Sequence, residues 1–187
     1  MGMLLSLLMG IGLSAACGFR VFVPLLIMSI ATKAGHLTLV PSFQWIGSDI
    51  ALVTLAVATC LEITAYYIPW LDHFLDVIAT PVAIVAGTIV TASMVGGMSP
   101  FLKWTLAVIA GGGAAGLVQG ATVVTRGASG VATAGIGNPL VSTAELIGSV
   151  LMSILSIVAP IVAIVLLLVV FIFAGKKIAA RFRRTRA

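Results

Sequence analysis

The chain has 187 residues, of which 61% are hydrophobic and 8% charged, with a mean hydropathy of +1.27. A soluble domain carries about 25% charged residues, so the composition excludes a water-soluble globule and points to an all-α, polytopic transmembrane helix bundle. The formal net charge of +5 does not indicate nucleic-acid binding, because six of the ten basic residues fall in the last twelve positions with no aromatic-rich basic surface around them.

The first apolar run, Met3–Thr32, contains a single charge, Arg20, with Gly18 before it and Pro24 after it. "LSAACG" resembles a signal-peptidase site, but no Lys or Arg precedes it and the apolar run continues, so the expectation is a retained membrane segment. Four more apolar runs follow, about Asp49–Ile68, Val77–Val95, Leu102–Thr125 and Ser142–Ala174. The connections are a polar loop with Trp45, the turn "PWLDHFLD" with Trp70, "GGMSPF", and the small-residue stretch "RGASGVATAGIGNP". Residues 1–175 read as one helical domain, with a division at 100/101 as an alternative, and 176–187 as a basic cytoplasmic tail.

Five crossings with the tail inside also place Lys33 and Lys103 inside, as the positive-inside rule prefers. Two runs are too long for a single upright span. Met3–Thr32 makes about 45 Å of helix and Ser142–Ala174 about 50 Å, against roughly 30 Å of hydrocarbon. Each holds a breaker, Gly18/Pro24 or Pro160, and is expected to be tilted or broken. A faint echo between the segments beginning at Ala79 and Val158 suggests an inverted repeat, a common plan for transporters.

Charges inside the apolar runs are the candidate site. Arg20 lies thirteen residues before Lys33, and Glu62 thirteen residues after Asp49, so both are expected at one depth and to pair. Arg126, Glu145, Asp72 and Asp76 fall toward the same end, and Asn138 supplies a dipole beside the turn at Pro139. This layer is read as a cavity for an anionic solute or lipid phosphate, because guanidinium groups bind oxyanions. The alternative is an assembly subunit whose buried ion pairs only stabilise the bundle.

Other features carry less. Gly112, Gly116 and Gly120 recur every four residues and suit close helix packing, including that of a homo-oligomer. His73 with two carboxylates is more simply a solvated turn than a metal site, and Cys17 and Cys60 stand alone. No phosphate loop, HExxH or GxSxG occurs, so no enzyme, cofactor or metal is expected.

Three motifs, "SAACGFRVFVPLL", "LEITAYYIPWLDHFLD" and "GNPLVSTAE", together resemble a bacterial family of integral membrane proteins catalogued as a domain of unknown function. Its most specific part, E-x(6)-P-x-x-D-x-x-x-D, is Glu62, Pro69, Asp72 and Asp76 here. Where the family often carries Asp-Lys before "IP", this chain has Tyr66-Tyr67. The resemblance implies an inner-membrane location and no established activity.

Overall fold

The computed structural model describes the backbone of residues 2–184, and their side chains except those of 69–73, 174, 175 and 177–184. Every regular element among the described residues is a helix. The elements are α1 (Met3–Cys17), α2 (Phe22–Lys33), a 3-10 segment (Pro41–Gly47), α3 (Asp49–Ala65) and α4 (Pro69–Met94), followed by α5 (Pro100–Leu106), a π-helical turn (Ala107–Gly112), α6 (Gly113–Thr133), α7 (Asn138–Val158) and α8 (Pro160–Arg184).

Phe74–Met94, Pro100–Thr133 and Asn138–Val158 are each long and apolar enough to cross a bilayer. The 3-10 segment and α3, bent through 63°, make a fourth candidate. The outer faces are apolar, with Ile50 82%, Phe101 78% and Val131 91% exposed. A lipid solvent explains such a surface, and the chain is a multi-pass helical membrane protein.

Helix α1 runs down the centre of the bundle, and small residues let its neighbours come close. Ser14 donates to the Gly87 carbonyl oxygen at 2.6 Å and lies 2.9 Å from the Thr91 hydroxyl on α4. On α7, Ser142, Ser149 and Ser156 recur every seven residues, all fully buried. Ser149 donates to the Ala16 carbonyl at 3.1 Å, and Ser156 lies against Gly12. Membrane helices associate through such small faces, because lipid gives no hydrophobic drive between them.

The two overlong runs are helical hairpins, which corrects the expectation that each crosses once. A β-carbon at Gly10 would stand 3.1 Å from Thr91 Cα, while Met28 Sδ lies 3.8 Å from the hydroxyl of Ser93, two residues further along α4. In one continuous helix Met28 would lie about 27 Å beyond Gly10, so the chain reverses between Cys17 and Phe22. Its tip is Gly18, whose missing side chain leaves room for α6: a β-carbon there would fall 2.9 Å from the Gln119 backbone nitrogen. Similarly α8 turns back at Ala159. Ala163 meets the level of Gly12, and Leu167 and Phe171 then pack against the group formed by Ala15, Ala16, Val118 and Met152.

Consequently Lys33 and the N-terminus share one end of the bundle, and α8 runs toward the other. The positive-inside count rested on two single crossings and loses its premise. Helix α8 also continues to Arg184 with no break at the expected tail boundary. The stretch expected as a loop from Arg126 is helical to Thr133, and the turn follows at Ala134 and Gly135 (φ 52° and 86°). "DHFLD" lies in the first turns of α4 rather than in a loop.

Candidate functional site

The site grows from the break in the first run. Breaking a helix in hydrocarbon exposes the first amides of the next one, and each unsatisfied amide there is costly. Pro24 removes one of them by lacking an N–H. Glu62 satisfies two more: its Oε1 accepts from the Val21 amide at 2.7 Å and its Oε2 from the Phe22 amide at 3.0 Å. A carboxylate from α3 thus caps α2, where it also meets the positive end of the helix dipole. The common depth expected for Arg20 and Glu62 holds, because α2 and α3 are antiparallel and Lys33 is ion-paired to Asp49 at their other ends.

The expected Arg20–Glu62 pair does not form. Arg20 instead turns its Nη2 to the Ser142 carbonyl at 3.0 Å and to Glu145 Oε2 at 3.7 Å. The backbone amides reach Glu62 first, and α7 supplies the counter-charge. Arg126, two turns beyond Gln119 on the same face of α6, is held by Glu145 through both Nε (3.0 Å to Oε1) and Nη2, and by Asp76 Oδ1 at 2.7 Å from Nη1. Glu145 therefore lies between the two guanidinium groups. Both also lie over the ring of Tyr66, at 3.9 Å for Arg20 and 4.0 Å for Arg126. Cation–π contact of this kind gains strength when water is excluded, and Tyr66 is buried.

Sequence reasoning thus brings Arg20, Glu62, Asp76, Arg126, Asn138 and Glu145 into one layer, though with different partners. The side chain of Asp72, with those of Trp70 and His73, lies outside the described residues. Two participants were missed. Tyr66 follows Glu62 by one helical turn, a spacing that places both on one face and marks it as a candidate. Gln119 had no signal beyond being a lone amide in an apolar run; it is buried, and its Nε2 has no hydrogen-bond partner among the described residues.

Two clefts flank the layer. One, of about 410 Å³, opens between α3 and α4 and is almost wholly apolar, lined by Ala58, Leu61, Ala79 and Val82, with Glu62 and Tyr66 where it meets the layer. The other, of about 370 Å³, lies across α4 and is lined by Asp76, Thr80, Arg126 and Asn138. Among the described side chains the layer holds two guanidinium groups and three carboxylates, Glu62, Asp76 and Glu145. Its donors are nonetheless not all met. Arg20 is 1% exposed, and its Nε and Nη1 have no hydrogen-bond partner among the described residues.

The glycine stripe expected as an interface is partly spent within the chain. A β-carbon at Gly116 would come within 3.1 Å of Ile84 on α4, and one at Gly112 within 2.7 Å of the Thr88 hydroxyl, whereas Gly120 has open space.

The sequence profile of a family described as a domain of unknown function (DUF4126) matches residues 7–178, and the chain belongs to that family. No curated protein and no solved structure matches it.

Proposed function

We propose that this protein is a small membrane transporter or channel-like protein whose charged layer receives a phosphate-bearing solute or lipid headgroup. The observation that carries the reading is Arg20, a buried and permanently charged group with two nitrogens lacking acceptors. A buried charged donor left unmet costs more than most single interactions return, and an oxyanion is the partner a guanidinium binds best. Asp76 lines the polar cleft and holds Arg126 through Nη1, so an incoming oxyanion would compete there with a carboxylate. Glu145 keeps both guanidinium groups in place meanwhile. The reading involves no chemistry on the solute.

We further infer an inner-membrane location in a bacterium with the basic tail in the cytoplasm. Six basic residues at that end outweigh Lys33 and Lys103 at the other. With both long runs folded into hairpins, this orientation sets the charged layer toward the cytoplasm rather than the outer face.

Protection against unfolding tests the reading. Inorganic phosphate and short-chain phosphatidylglycerol are each titrated into purified protein, and the unfolding midpoint is followed. The wild type is expected to be protected by at least one of them, and Arg20→Lys, which keeps the charge and loses the fork of donors, to lose that protection. The choice between the two ligands separates a free solute from a headgroup.

A second reading has its own observation: Arg126 is engaged by Asp76 and Glu145, and the layer joins the tip of the first hairpin to α3, α4, α6 and α7. A non-catalytic assembly subunit needs nothing more. Absence of protection by every phosphate-bearing compound, with a folded wild type, would decide for it.

A further inference from the structure

Two features of the charged layer remain unused by a simple anion site, and they lie beside the one that such a site does use. The cleft between α3 and α4 is apolar, about 410 Å³ in volume, and of a size that takes a small organic ligand. Glu62 lines it, and Glu62 is held by two backbone amides, with no cation at ion-pair distance among the described residues. A carboxylate offers about four lone-pair sites, so roughly two remain unspent. On the far side of the same α2 cap, Arg20 keeps two nitrogens without acceptors. One edge of the layer has acceptors to spare and the next has donors to spare.

The charge count agrees with that division. Three carboxylates against two guanidinium groups leave the described layer one negative charge in excess, which a purely anionic ligand would worsen. A ligand with both a phosphate and an ammonium adds no net charge and serves both edges. An apolar cleft beside them suits an acyl chain.

We propose, resting on the headgroup reading above, that the ligand is a zwitterionic aminophospholipid of the phosphatidylethanolamine type, entering sideways from the bilayer between α3 and α4. Its phosphate meets Nε and Nη1 of Arg20, which are buried over the ring of Tyr66 and reached from the cleft when that ring moves aside; its ammonium meets Glu62, and an acyl chain lies along Ala58, Leu61, Ala79 and Val82. Tyr66, which lines the cleft and carries the Arg20 guanidinium over its ring, joins the apolar and the charged parts.

The test measures binding to delipidated, detergent-purified protein by native mass spectrometry and calorimetry. The probes are short-chain phosphatidylethanolamine, phosphatidylglycerol and phosphatidylcholine with identical chains, and inorganic phosphate. Phosphatidylethanolamine is expected to bind about tenfold more tightly than either other lipid, since phosphatidylglycerol lacks the ammonium and phosphatidylcholine lacks its N–H donors. Glu62→Gln should erase the preference while leaving phosphatidylglycerol binding in place. Ala79→Trp, which fills the cleft and leaves the α2 cap intact, should weaken all three lipids and spare inorganic phosphate.

Equal binding of the three lipids, or a preference that survives Glu62→Gln, overturns the assignment. Binding of inorganic phosphate with no lipid binding overturns it while the anion reading stands. Failure of every probe on a folded protein overturns both.

Discussion

The two breaks in this chain look alike in sequence and differ in what surrounds them. Each interrupts a long apolar run, and each reverses it. The first, at Gly18–Val21, lies at the depth of Glu62 and is enclosed by charge: a carboxylate on its amides, a guanidinium at its tip, and a second ion pair behind. The second is the single residue Ala159, between Val158, 76% exposed, and Pro160. No charged residue lies between Glu145 and Lys176, so nothing polar is recruited to it. It stands at the end of the bundle shared with Lys33, where water and headgroups can solvate its open backbone groups, and Pro160 removes one amide from the account. The depth of a break, rather than the residue that makes it, decides whether it must bring its own polar partners. A charged layer is what a break at depth requires, and once present it is available for a ligand.

That contrast can be broken by substitutions at the two turns. Arg20→Met is expected to have the largest effect, destabilising by about 3–5 kcal/mol, because it unpairs a buried network. Denaturation in detergent micelles measures it; a change below about 1 kcal/mol would show that the layer tolerates losing its tip. Gly18→Ala comes next, at about 1–3 kcal/mol, since the added methyl group meets the backbone of α6 and nothing flexible is there to yield. Glu62→Ala removes the α2 cap and should cost about 1–2 kcal/mol, with Glu62→Gln milder because one acceptor survives. Amide exchange at Val21 and Phe22 should rise in the same variants. Pro160→Ala belongs at the bottom, at less than about 1 kcal/mol, because the second break loses chain stiffness and regains one amide that water and headgroups can solvate. Should Pro160→Ala prove as damaging as Gly18→Ala, the distinction by depth would not hold.

How much of this was written in the sequence differs from residue to residue. Helical membrane architecture was plain, since composition alone excludes a soluble core. The shared depth of Arg20 and Glu62 was also readable, because counting from Lys33 and Asp49 works for any antiparallel pair of helices. Reversal at the breaks was not: a run that is apolar on every side has no periodicity to show whether it bends or doubles back. The partner of Glu62 was hidden for the same reason, as the α2 amides need a carboxylate only after the reversal exposes them. "RGASGVATAG" resembles a loop by its small residues, yet it continues α6, because backbone at that depth must satisfy itself and a helix does so. Gln119 left no pattern at all.

The central claim is that the first apolar run doubles back at Arg20, and cysteine cross-linking tests it most directly. In a background with Cys17→Ala and Cys60→Ala, the pair Met28→Cys/Ser93→Cys is oxidised in native membranes, beside the pair Ser14→Cys/Thr91→Cys, which joins α1 to α4 whichever way the run continues. The hairpin predicts a disulfide in both, in keeping with separations of 3.8 and 2.9 Å between the native side-chain atoms. A bond at 14/91 with none at 28/93 would mean a straight first helix, with no exposed α2 amides and no reason for the charged layer to exist.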